Sequence, residues 1–210
     1  MGIKSLLGKI KKELRVLKGK AAKNKSYTSS KTYATKEEAA LHYTKSVERL
    51  FDINSWSDIE EIPAQFQLFD RSGEKKYNPD LPQINDYILI EFTGPLPINW
   101  VKICNVSIKE DSAQFTVRPS SDPLATDKKT PVTSHFFKNK SRSVFKVSLH
   151  KNTITAQEIG TDETINNRGR EAGDRKLINT MIAEAGWAGF QKFQWEILTS
   201  YLCLGMDAKK

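Results

Sequence analysis

Residues 175–205, RKLINTMIAEAGWAGFQKFQWEILTSYLCLG, decide how this chain is built. Leu177, Ile178, Met181, Ile182 and Ala185 fall in helical register, and Phe190, Phe193, Ile197, Tyr201 and Leu202 continue it. Fully helical, about 30 residues would make a rod of about 45 Å at 1.5 Å per residue. Gly186 and Gly189 each cost roughly 1 kcal/mol inside a helix, so a kink or break is expected near them, and Gly205 ends the segment. A rod this apolar has to be covered. The rest of the chain offers one partner large enough, a β-sheet.

That sheet is written upstream as strands separated by turn chemistry. IPAQFQLFD opens it, and RSGEKKYNPDLPQIND forms a long loop over 71–86. DYILIEFTG follows, then INWVKICNVSIKE with Ile98, Trp100, Cys104, Val106 and Ile108 expected on one face. AQFTVRP alternates Ala113, Phe115 and Val117; after the loop SSDPLATDKKTP comes TSHFFKN; SRSVFKVSLH alternates Phe145, Val147 and Leu149. The turn HKN leads into TITAQEIG. Six or seven strands joined by hairpins and loops predict one antiparallel sheet. Ahead of them, SYTSSKTY reads as a short first strand. ATKEEAALHYTKSVERLF reads as a helix capped by Thr35, with Glu37 and Glu38 in its first turn and Ala40, Tyr43, Val47, Leu50 and Phe51 inward. DINSWSDIE reads as a second short helix, capped by Asn54 or Ser55 and holding Trp56 and Ile59.

A strand, two short helices, a run of antiparallel strands and a long terminal helix make an α+β order. With the passage VERLFDINSWSDIE, it resembles the helix-grip fold of the START-like superfamily, which includes lipid-transfer domains, polyketide cyclases and birch-pollen-allergen-type proteins. The long 71–86 loop and the two helix glycines depart from that pattern. The resemblance implies a sheet curved around the terminal helix with a cavity between them for a hydrophobic or amphipathic small molecule or lipid. Candidate wall residues are Phe92, Trp100, Phe115, Phe136 and Phe145 from the strands, with Met181, Trp187, Phe190 and Trp195 from the helix. Plain core packing would account for the same aromatics. The stretch GTDETINNRGREAGDRK enters the helix from a strand. Its Arg168, Arg170 and Arg175 are candidates for a rim that holds an anionic head group; a solvated loop with internal salt bridges is the alternative.

The first 25 residues carry eight lysines and one arginine against Glu13, a sum of +8, equal to the charge of the whole protein. Ile3, Leu6, Leu7, Ile10, Leu14 and Leu17 form one helical stripe, while Lys4, Lys9, Lys11, Lys12, Arg15 and Lys18 surround it. Gly19 is the expected stop, with AAKNKSYTSSK as a flexible joint. The expected organisation is therefore a leader over 1–25, a helix-grip domain over 26–205 and a tail over 206–210. Leu6, Leu7, Ile10, Lys11, Lys12 and Leu14 would meet an anionic membrane surface, a partner's groove or the chain's own body. Nucleic acid is disfavoured: the body is electrically neutral and the leader has no aromatic residue to stack on bases.

Catalytic and metal signatures are missing. His42, His135 and His150 are scattered, and no nucleophile elbow or phosphate loop occurs, so no catalytic residue, metal or cofactor is expected. A cyclase-like reading would need Glu91, His135 or Tyr201 inside the cavity, and a ligand-free interaction module is the third possibility. Cys104 and Cys203 read as two buried free thiols, which with the lack of a secretory leader favours a cytoplasmic protein, peripheral to a membrane if the leader binds one.

Overall fold

A computed structural model describes residues 15–93, 96–126, 132–184 and 187–205. Leu6, Leu7, Ile10, Lys11, Lys12 and Leu14 lie outside the described residues. Seven strands form one sheet: β1 (Lys23–Thr32), β2 (Ala64–Phe69), β3 (Tyr87–Phe92), β4 (Asn99–Ile108), β5 (Ser112–Pro119), β6 (Arg142–His150) and β7 (Thr153–Glu163). Their spatial order is β1-β7-β6-β5-β4-β3-β2, and every pairing is antiparallel. Helix α1 (Lys36–Phe51) connects the two edge strands in sequence. The terminal segment forms α2 (Lys176–Glu184) and α3 (Trp187–Leu204). The expected rod is described as these two helices, and Ala185 and Gly186 between them lie outside the described residues. The architecture is α+β: a curled antiparallel sheet with the C-terminal helix against it.

The core follows from strand alternation. Phe66, Ile88, Ile90, Phe92, Phe115, Phe145, Val147 and Ile154 share one buried cluster with Trp195, Leu198 and Leu202 of α3. Leu198 and Leu202 have no exposed surface, and truncating either to Ala would cost about 2–5 kcal/mol. Helix α1 starts where its cap predicts, for the Glu38 N–H donates to the Thr35 hydroxyl at 3.1 Å. Its buried face, however, is Ala39, Tyr43, Ser46 and Leu50, with Phe51 at its end; Ala40 is exposed. The hydroxyl of Ser46 is accommodated because it donates to His42 O at 3.0 Å and accepts from Arg49 Nη2 at 3.0 Å.

Four local expectations change. The proposed joint is no linker: Lys23–Thr32 is a ten-residue edge strand, and β1 begins ahead of the boundary drawn at Ser26. The Asn54–Asp58 segment is a single 3-10 turn without a side-chain cap. Asn54 instead accepts from Leu68 N at 2.8 Å and donates to Lys76 O at 2.9 Å, tying the turn to β2 and the long loop. TSHFFKN contributes only an isolated bridge, Phe137 to Ile165. In β4 the inward residues are Val101 and Ile103, and a bulge between Ile103 and Asn105 resets the alternation, so Val106 packs against the core. Trp100 is thereby out of phase with the core face and packs on Phe69, ring centroids 5.0 Å apart. The same phase leaves Cys104 exposed, whereas Cys203 is buried as expected.

The end of the leader is docked. Lys20 N bonds Arg15 O and Gly19 N bonds Val16 O, both at 2.8 Å, closing a helical turn with Gly19 at φ +60°. Val16 is buried in a second cluster with Phe136, Phe137, Ile165 and Ala183, and Asn167 Nδ2 donates to Leu17 O at 3.0 Å. Gly19 is the helix stop that the sequence indicates.

Candidate functional site

Between the sheet and α3 lies a cavity of about 50 Å³. One water needs about 10–15 Å³, and an engineered cavity of about 150 Å³ binds benzene. The concavity is therefore mostly filled with side chains, yet a space several waters in size persists. As it stands it takes a small group or part of a ring; a whole ring enters only when a wall side chain turns.

Aromatic rings make much of that wall. Trp56, Phe66, Phe92, Phe137, Phe145 and Trp195 all line it. Trp56 meets Phe66 edge-on at 5.5 Å and Phe145 at 5.3 Å, and Phe145 meets Trp195 edge-on at 5.3 Å. Each strand delivers its ring by alternation, and the 3-10 turn delivers Trp56, fixed because its Nε1 donates to Arg49 O at 2.9 Å. Among residues proposed from sequence, Phe92, Phe145 and Trp195 reach the cavity. Phe115 is buried behind it, stacked on Phe145 at 5.2 Å, and Trp100 is turned away on Phe69. The side chains of Met181, Trp187 and Phe190 lie outside the described set.

Five polar residues interrupt this wall: Asn99, His135, Ser143, Gln191 and Gln194. Asn99 Oδ1 accepts from Phe136 N at 2.9 Å and from Arg175 Nη2 at 3.0 Å. His135 Nδ1 accepts from Phe137 N at 2.8 Å, which puts the proton of the neutral ring on Nε2. Burial, reinforced by the nearby Arg175 charge, lowers its pKa to about 3, so the imidazole is neutral at physiological pH. Gln194 Nε2 and Trp195 Nε1 are buried donors without a partner. Unsatisfied donors beside a cavity are what a ligand acceptor would complete.

The arginine-rich loop is divided by the structure. Arg168 and Arg170 are exposed, and neither lines the cavity. Arg175 turns inward and donates to Ile98 O at 2.7 Å as well as to Asn99, while burial lowers its pKa to about 10. Of the residues named for a cyclase-like reading, Glu91 is exposed, Tyr201 is half-buried beside Arg49, and His135 alone reaches the cavity.

Sequence reading missed the buried acids. Glu158 and Glu163 are fully enclosed at the β7 end of the concave face. Desolvation raises the Glu158 pKa to about 8, with the Glu163 charge adding; the Ser143 hydroxyl and the Lys25 charge act in the opposite sense without overcoming burial. Glu163 is raised too, by desolvation, against the Gln191 hydrogen bond and the Lys25 and Lys23 charges. The signal was present: Ile154, Ala156, Glu158 and Gly160 alternate inward, which places an acid on an apolar face.

Among the described residues there is no cluster of His, Cys, Asp and Glu that could hold a metal ion, and no helix long and apolar enough to cross a membrane. No protein-family model matches the chain, and no curated protein matches it. Solved structures do. The chain is similar to a hypothetical protein from Helicobacter pylori at 10% identity and a TM-score of 0.47, over 90% of this chain and 92% of that one. It is similar to the Zhui aromatase/cyclase from Streptomyces sp. R1128 at 12% identity and 0.46, over 86% and 94%. It is also similar to a major latex-like protein from Panax ginseng at 11% identity and 0.38, over 77% and 93%. Independently of these likenesses, the arrangement expected from sequence, one antiparallel sheet of seven strands with a terminal helix against it, is what the chain itself adopts.

Proposed function

We propose that this chain binds a small amphipathic molecule between the curled sheet and α3, an apolar body among the rings and a polar group at the amides. One observation carries the reading: an aromatic-walled cavity of about 50 Å³ whose lining residues include buried donors without partners. Apolar surface of ligand and wall leaving water together supplies roughly 25 cal/mol per Å². Completing a stranded donor adds about 1–3 kcal/mol. The chemistry in view is recognition, with a neutral His135 as a further hydrogen-bonding group.

Benzyl alcohol is a suitable probe, since it joins a ring to one hydroxyl. Calorimetric titration should give saturable binding that Val117→Phe, which fills the cavity from β5, abolishes while the protein stays folded. Equal binding by both proteins would remove the cavity reading.

The basic leader is proposed to bring the domain to an anionic membrane surface. Its lysine-rich composition supports this, and docking of Val16 and Leu17 on the body would hold the leader at a fixed place. The truncation that tests it stops at residue 14, because removal through residue 25 would also take Val16, Leu17 and the start of β1. Full-length protein should float with phosphatidylserine vesicles and the truncated protein should not; equal recovery would refute the membrane role.

A further inference from the structure

Glu158 has no exposed surface, and neither carboxyl oxygen has a partner at hydrogen-bonding geometry. It stands on the inward face of β7. Its register partner on β6, Phe145, lines the cavity, and so does Ser143, the next inward residue of that strand. A second carboxyl joins it. Glu163 folds back over Gly160, where a Cβ would collide with the Glu163 carboxylate, so only glycine leaves it room. Gln191 of α3, also in the wall, donates from Nε2 to Glu163 Oε1 at 2.6 Å and accepts from Lys25 Nζ at 2.7 Å. One side of an aromatic cavity is thus backed by two acids.

A buried carboxyl with only the Ser143 hydroxyl and the Lys25 charge acting in its favour still carries an uncompensated desolvation cost, and an apolar residue of similar volume would fold more stably. What Glu158 lacks is an N–H donor. The same cavity is lined by the rings of Trp56, Phe66, Phe145 and Trp195, and an aromatic wall favours positive charge wherever a ring face meets it. We propose that the ligand is an organic cation, an apolar body bearing a primary ammonium that pairs with Glu158 on the side formed by Ser143 and Gln191. This rests on the cavity reading of the preceding section and narrows it to a ligand class. Two acids disfavour an anionic head group there.

The proton balance is simple. The ammonium keeps its three protons, Glu158 gives one to solvent, and a charge pair forms in its place. The groups facing Glu158 are Tyr27 and Lys25 from β1, Ser143 from β6 and Glu163 on its own strand, and Glu163 in turn faces Lys23 of β1 and Gln191 of α3. Tyr27 is held up to about 12 by burial and by the charges of Glu163, Glu158 and Glu196, so it stays a neutral phenol throughout. Lys25 donates to Gln191, and Gln191 donates to Glu163.

The test compares benzylamine with benzyl alcohol by calorimetry from pH 6 to 8, where the amine stays charged, on the full chain and on Glu158→Gln. Gln matches the shape of a protonated Glu and removes the titration. For the unmodified protein, benzylamine affinity should rise about tenfold per pH unit until Glu158 ionises freely near pH 8. Phosphate and Tris buffers should report release of about one proton per amine bound. Benzyl alcohol should show neither effect. Glu158→Gln should bind benzyl alcohol as before and benzylamine at least tenfold more weakly at pH 8. If benzyl alcohol binds and the amine shows no pH dependence or proton release, the cation inference falls and the cavity reading stands. If neither ligand binds, both fall. Should the variant not fold, the pH series and proton count on the unmodified protein decide alone.

Discussion

Phe145 and Glu158 are register partners across β6 and β7, so an aromatic wall of the cavity and a buried acid share one rung of the sheet. Two rungs along the same strand pair, Val147 faces Ala156, and both are wholly buried and apolar. The change from carbon to carboxyl at Glu158 therefore occurs where the core gives way to the cavity. An acid is expensive at that position for folding alone, which is why its properties separate a binding site from a plain core.

The first consequence concerns pH. Glu158 has a folded pKa raised to about 8 from an ordinary value near 4.5, so the folded state holds its proton while the unfolded state loses it. Its contribution to stability is full below the unfolded value and is lost as pH rises to about 8. His135 is the opposite case, lowered from 6.5 to about 3, so its contribution is full above 6.5 and is lost as pH falls toward 3. The two slopes cancel between about 4.5 and 6.5. Chemical denaturation across pH should show a plateau there and a decline above it, amounting to roughly 2 kcal/mol between pH 6.5 and 8 from Glu158. Glu158→Gln should lose the alkaline decline and keep the acid one. An unchanged alkaline limb would show that Glu158 is not buried as described.

Phe145 touches Trp56, Phe115 and Trp195 with ring centroids 5.2–5.3 Å away. Phe145→Ala should cost about 3–5 kcal/mol, the range for emptying a buried aromatic site. It should also enlarge the cavity. Benzyl alcohol should then raise the melting temperature of the variant more than that of the parent, because the ligand refills the void. A smaller ligand shift in the variant would place the binding site elsewhere.

Gly19 ends the docked turn of the leader at φ +60°, and a Cβ there would come within 2.7 Å of Ile165 O as well as overlapping the Asn167 amide. Gly19→Ala should destabilise the protein by more than the roughly 1 kcal/mol of left-handed strain alone. Proteolysis should follow: trypsin should cut at Arg15 and Lys18 faster in this variant than in the parent. Equal cleavage rates would mean that the turn is not held against the Phe136 cluster.

Much of this fold was legible because period and punctuation agreed. Thr35 capped the helix it was expected to cap, and Phe115, Val117, Phe145 and Val147 faced inward as their alternation required. Reading failed where a local event changed the phase. The bulge after Ile103 moved Trp100 and Cys104 off the core face, and alternation alone does not reveal a bulge. Lys23–Thr32 looked like a joint because an edge strand can be polar, paired through its backbone on one side only. The candidate site was legible in its aromatics, Phe92, Phe145 and Trp195, and illegible in its acids. Glu163 reaches the concave face because the register against β1 shifts between Gly160 and Glu163, with Asp162 at φ +52°, and because Gly160 leaves space above its backbone. Arg175 carried a visible charge, but its inward turn depends on Asn99 and the Ile98 carbonyl, remote in sequence.

Whether a hollow lies beneath α3 is most directly tested with xenon, an atom small enough for a space of about 50 Å³ and strongly visible by anomalous scattering. Crystals pressurised with the gas should show one anomalous peak enclosed by Trp56, Phe145 and Trp195, absent from Val117→Phe crystals treated alike. A map with no peak between sheet and helix, or with an equal peak in the filled variant, would contradict the account.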